Sequence, residues 1–121
     1  MNNILMANQL VEKTKAIIYS EEDAEQVIVA YSESENMYIR VNRDVMSGLH
    51  ADEEQFIQEL IDNQDTALRY VVCMWKGFTL DLPSIYVRKR LIEIDSKNAY
   101  AQMILDNKQT KWMKTHKSTM P

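Results

Sequence analysis

Glycine and proline are nearly missing from this sequence. Only Gly48, Gly77, Pro83 and Pro121 occur in 121 residues, where average usage would give about fourteen. Tight turns that need a positive or fixed φ are therefore few, which argues against a fold of many short hairpins. Cysteine is scarcer still. Cys73 stands alone, so no internal disulfide can form, and a reducing cytoplasmic setting suits the chain better than secretion. Long apolar runs are lacking too. No stretch approaches the roughly 20 apolar residues of a spanning helix, so no membrane partner is expected. The opening run Ile4-Leu5-Met6-Ala7 ends at Asn8-Gln9 without a basic start, unlike a signal peptide.

What is present is ordinary globular material: 45% hydrophobic residues, 26% charged residues and a net charge of −4. Enough apolar surface exists to offset ordering entropy, and the length suits one domain. The reading is a single globular domain over residues 1–107, with a basic, fraying tail over 108–121. Residues 3–19 carry Ile4, Ala7, Leu10, Val11, Ile17 and Ile18 at helical spacing. Residues 26–32 and 37–42 read as a β-hairpin, since Val27-Ile28-Val29 is a β-branched run and Met37–Asn42 alternates with period two. Helices are then expected over 52–63, 65–76 (Leu68, Val71, Val72 and Trp75 on one face, Gly77 closing the end), about 84–95 and about 98–107. The fold expected is α+β and mostly helical, with about five helices and one hairpin near 26–42; an all-α bundle is the alternative. Residues 91–99, Leu-Ile-Glu-Ile-Asp-Ser-Lys-Asn-Ala, resemble the helix–turn–helix junction of tetratricopeptide repeats. No second copy stands at the 34-residue period such repeats need, so the resemblance implies a junction and not the repeat fold.

Charge is segregated. Residues 1–66 hold 14 acids and 4 bases, and residues 67–121 hold 4 acids and 10 bases. The acidic clusters are Glu21-Glu22-Asp23, Glu33 with Glu35, and Asp52-Glu53-Glu54. Acids at helix starts suit the helix dipole; as a shared face they would capture a basic partner by electrostatic steering. The tail residues Lys108, Lys111, Lys114 and Lys117 flank Trp112, a pattern that could contact phosphates and stack a base.

Reaction chemistry is harder to find. His50 and His116 are far apart in sequence, neither lies near Cys73, and His50-Ala51-Asp52-Glu53-Glu54 lacks the second histidine of a zincin helix. Cys73 lies in an apolar run, where burial makes a thiol inert. No metal, cofactor or catalytic set is expected, hence no enzyme. The expected function is a small acidic cytoplasmic protein-binding protein, an immunity- or antitoxin-like inhibitor. It would occlude a basic partner such as a toxin nuclease with Glu21, Glu22, Asp23, Glu33, Glu35, Asp52, Glu53 and Glu54. The alternatives are a nucleic-acid accessory protein using the basic half, or a subunit of a homo-oligomeric assembly.

Overall fold

Residues 68–75 decide the architecture. Their apolar positions fit a helical stripe, yet they form a strand, Leu68–Trp75. Val71, Val72, Cys73 and Met74 are all fully buried. A strand covered on both faces reads as a continuous apolar run, which spacing alone does not separate from a buried helix. The same holds for Gln26–Ser32, where every residue is buried.

The computed structural model describes residues 3–43, 50–105 and 110–113. In chain order the elements are α1 (Asn3–Ser20), β1 (Gln26–Ser32), β2 (Met37–Asn42), α2 (Ala51–Asp62), β3 (Leu68–Trp75), β4 (Thr79–Asp81), α3 (Ile85–Ile94), a 3-10 helix (Ser96–Tyr100), β5 (Gln102–Ile104) and β6 (Thr110–Trp112). The strands make one mixed sheet in the order β2-β1-β3-β5-β6, and β4 pairs with the end of β3. Only β3 and β5 run parallel. Side chains alternate across β1 and β3. Val27, Val29, Tyr31, Tyr70, Val72 and Met74 face α1, in a core with Met6, Leu10 and Ile18. Ile28, Ala30, Val71 and Cys73 face the other way, onto Phe56, Ile57 and Leu60 of α2 and Val87 and Leu91 of α3. The result is three layers, with one helix on one side of the sheet and two on the other.

This corrects both expected folds. Among the described residues there are three α-helices, so neither the mostly helical domain with about five helices nor the all-α bundle stands. The hairpin over 26–42 is present, with Gln26 opposite Asn42 and Tyr31 opposite Met37, but β1 continues into the larger sheet through β3. Gly77 ends no helix; at φ +93 it turns the chain from β3 to β4, beside Phe78 at φ 72. The segment resembling a helix–turn–helix junction leads from α3 into a 3-10 helix and then a strand. In the tail, Thr110–Trp112 adds an edge strand and Met113 is fully buried. No helix among the described residues is long and apolar enough to cross a membrane.

A polar network ties the far end of the hairpin to the loop after α2. Asp65 Oδ2 accepts from the Ser32 hydroxyl (2.9 Å), the Asn36 amide (2.9 Å) and the Tyr38 hydroxyl (2.7 Å). Burial pushes the Asp65 carboxyl up, but the donors Asn36, Tyr38, Ser32 and Ser34 outweigh it and hold it below its usual 3.8. Burial, then the bond to Asp65, pushes Tyr38 up to about 12. The signs follow from linkage. The Asp65 contribution is present above pH 3.8 and is lost as pH falls further. The Tyr38 contribution is present below pH 10 and is lost as pH rises toward 12. Denaturant midpoints across pH should show both limbs. Asp65→Asn should flatten the acid limb and Tyr38→Phe the alkaline one.

Candidate functional site

Helices α2 and α3 begin side by side at the carboxyl end of β3. Phe56, Ile57 and Leu60 fasten α2 to the sheet, so its first turn, with Asp52, Glu53 and Glu54, is carried to this edge. The acids suit the positive end of the helix dipole. Pro83 ends the preceding connector, and Ser84 caps α3: its Oγ accepts from the Val87 N–H at 3.2 Å. Val87 and Leu91 bury the helix, and the Arg88 Nε donates to the Pro83 carbonyl at 2.9 Å.

Two carboxylates meet this helix start in different ways. Glu54 is neutralised. Arg90 Nε donates to its Oε1 at 2.6 Å, and the Tyr86 hydroxyl donates to the same oxygen. Arg90, then Tyr86, hold the Glu54 carboxyl below its ordinary range, and the bond to Glu54 pushes Tyr86 up. Glu53 has no Lys or Arg partner among the described residues. Its Oε2 accepts from the Ser84 hydroxyl at 2.8 Å, and its Oε1 lies 2.5 Å from His50 Nδ1. The His50 ring stacks on Tyr86, centroids 4.1 Å apart and planes within 5°. The Glu53 side chain is 13% exposed and that of His50 45% exposed. A shielded carboxylate thus touches a hydroxyl and a solvent-reaching imidazole. That set can take a proton and pass it on.

The structure separates the acids that the sequence suggested as one face. Glu21 and Asp23 pair with Arg43 in the α1–β1 connection, at 3.4 and 2.9 Å, with exposed Glu22 between them. Glu33 and Glu35 sit in the β1–β2 turn, at the opposite end of β1. Only Asp52, Glu53 and Glu54 lie at the α2–α3 junction. Of the tail residues, Lys111 and Trp112 are in β6, and Lys108, Lys114 and Lys117 lie outside the described residues. Sequence reasoning found Glu53 and Glu54 for a different purpose and missed Ser84, Tyr86 and Arg90. The signal available was the pair of helix starts, 50–54 and 83–87, each joining a capping position to polar side chains.

Ser84→Ala should cost about 1 kcal/mol through the lost cap. It should also leave Glu53 without one of its two donors. Ser84→Thr should restore most of the stability. Urea midpoints of the three proteins check this.

No protein-family profile and no curated protein matches the sequence. A solved structure does match the fold. The crystal structure of cytidine deaminase from Mycobacterium leprae is similar with a TM-score of 0.65 over 85% of this chain and 92% of that one, at 17% identity. This likeness overturns the expected immunity- or antitoxin-like inhibitor and removes the ground for expecting no enzyme. The acidic clusters on which the inhibitor rested are scattered, and the fold is one that houses an enzyme.

Zinc deaminases hold their metal with one histidine and two cysteines from an H-x-E and a P-C-x-x-C segment, the glutamate handling protons. Here the two helix starts read His50-Ala51-Asp52-Glu53, with Asp52 at that glutamate's spacing and Glu53 one position later, and Pro83-Ser84-Ile85-Tyr86-Val87. Ser84 and Val87 stand where that spacing puts cysteines. The Ser84 hydroxyl is engaged by the cap and by Glu53. Val87 is fully buried and has no donor atom. The one thiol, Cys73, is buried within β3, and burial, then the charges of Asp81 and Glu53, push it far above its ordinary range. Among the described residues no group of three His, Cys, Asp or Glu side chains is placed to hold a metal ion. The donor set does not fit a thiolate-bound zinc. The chain has the fold of a cytidine deaminase, with a histidine and a glutamate at the paired helix starts and no thiolate beside them.

Proposed function

We propose that this protein is a deaminase-type enzyme acting on a small amino-substituted nitrogen heterocycle at the α2–α3 junction. One observation carries the reading. Glu53, shielded and with no Lys or Arg partner among the described residues, is held between His50 and Ser84 at the paired helix starts. The likeness to a cytidine deaminase supports the substrate class.

In the reaction, water adds to the ring carbon that bears the amino group. Glu53 takes one water proton as the C–O bond forms and passes it to the adjacent ring nitrogen, which receives the C=N electron pair, and then carries the second proton from the new hydroxyl to the amino nitrogen. The C–N bond then breaks, ammonia leaves, and the ring keeps a carbonyl oxygen. His50 steadies the Glu53 carboxylate and links it to solvent for proton exchange. Tyr86 fixes the imidazole plane by stacking. Glu54 and Arg90 neutralise each other and hold the two helix starts together. The single buried thiol suits a cytoplasmic setting.

Ammonia release is to be measured with cytosine, cytidine, adenine and adenosine, with and without a chelator. The reading expects release from at least one of them at a rate the chelator leaves unchanged. No ammonia from any of the four at high enzyme concentration, or heterocycle binding without turnover, would overturn it.

A further inference from the structure

Cross-strand register sets Tyr31 of β1, Tyr70 of β3, Gln102 of β5 and Trp112 of β6 side by side. Register partners share a face of the sheet. Tyr31 and Tyr70 are buried in the core beneath α1. Trp112, at the far end of the row, is 45% exposed, and Tyr100 beside it is 58% exposed. Their rings meet edge to face at 5.7 Å. Next to this aromatic pair lies a cleft of about 290 Å³, bounded in part by Glu33, Arg69, Lys97, Tyr100 and Gln102.

The charge in the cleft is unbalanced. Arg69 and Lys97 are exposed, and neither has a carboxylate partner among the described residues. The Arg69 guanidinium stands 6.0 Å from the centre of the Tyr31 ring, which helps fix its direction. Among the described residues Glu33 is the one acid in the lining. Two cations against one acid match a phosphate monoester, which can carry two negative charges, better than a carboxylate with one. The Tyr100 ring in the lining, with Trp112 packed edge to face against it, suits a planar ring, since base–aromatic stacking is tolerant of ring identity. Glu33 can accept from an amino or hydroxyl group on the ring or sugar. The volume lies at the small end of ligand sites, near 300 Å³, which fits one ring and one phosphate and not a longer chain.

We propose that this cleft binds a free mononucleotide. The site stands apart from the α2–α3 junction. The cleft is at the amino end of β3, beside Leu68 and Tyr70, and the junction is at the carboxyl end, about 15–20 Å along the strand. It does not rest on the deaminase reading.

The test is calorimetric titration of the full chain with cytidine and adenosine monophosphates, the free nucleosides, inorganic phosphate and a short single-stranded oligonucleotide. A mononucleotide should bind more tightly than its nucleoside and than phosphate. Arg69→Gln and Lys97→Gln should each weaken it about tenfold or more. Trp112→Ala should weaken the mononucleotide and leave phosphate unchanged. Glu53→Gln should leave the titration as it is, so loss of turnover and loss of this binding are separable. If Arg69→Gln does not fold, Lys97→Gln, at an exposed position of the 3-10 helix, carries the same comparison. No mononucleotide binding would overturn the proposal, as would phosphate binding equally well, indifference to both charge variants, or tighter binding of the oligonucleotide.

Discussion

Replacing Asn98 by alanine is expected to cost about 3–5 kcal/mol, because two buried backbone groups and one part-buried one lose their partner, at about 1–3 kcal/mol for each buried group. Asn98 is fully buried in the 3-10 helix between α3 and β5. Its Oδ1 accepts from the Leu68 N–H at 2.8 Å, where β3 begins. Its Nδ2 donates to the Thr66 and Leu91 carbonyls, each at 2.8 Å. One side chain thus joins the last turn of α3 to the start of the central strand. Asn98→Asp is the sharper variant. The carboxylate still accepts from Leu68, but it points an oxygen at two carbonyls and adds a buried charge. It should destabilise more than alanine. Against a total stability of about 5–15 kcal/mol for such a domain, either variant should lower the urea midpoint markedly. A midpoint within error of wild type would show that this contact is not what seats α3 on the sheet.

The amphipathic helices were legible because each has a solvated face. α1, α2 and α3 all show apolar residues three and four apart, and Ser84 announces the start of α3. The hairpin was legible because β2 is an edge with alternating exposure. β3 was not. Its residues are apolar on both sides, and Leu68, Val71, Val72 and Trp75 satisfy a helical stripe by coincidence. What settles it as a strand is Ile28 opposite Cys73 and Val29 opposite Val72, pairings between segments more than 40 residues apart. Local spacing carries no trace of them. β5 and β6 fail for another reason. At three residues each they are too short to show a period. The functional cluster was half legible. His50, Glu53 and Glu54 drew attention as a histidine and helix-start acids, but Ser84, Tyr86 and Arg90 approach them from 30 or more residues away. With serine and valine where thiolates would announce a metal site, no motif marked the second half.

Glu53→Gln should reduce turnover by about 10²–10⁴-fold, the range a positioned proton-transfer group contributes. Glutamine keeps the volume and can still accept from Ser84, so the helix starts should stay together. It cannot take the proton from water. The loss should therefore fall on kcat, with KM and the melting temperature little changed. Glu54→Gln supplies the contrast. It weakens the pair with Arg90 and should lower stability, with a smaller effect on kcat. A carboxylate that only braced α2 against α3 would show the reverse pattern.

The measurement that bears most directly on the site is ammonia release from whichever of cytosine, cytidine, adenine and adenosine is turned over, by the wild-type protein and by Glu53→Gln, side by side and in the presence of a chelator. The α2–α3 site predicts release by the wild type, unaffected by the chelator, and a rate at least about a hundredfold lower in the variant. Equal rates in the two proteins, or abolition of the wild-type rate by the chelator, would contradict it.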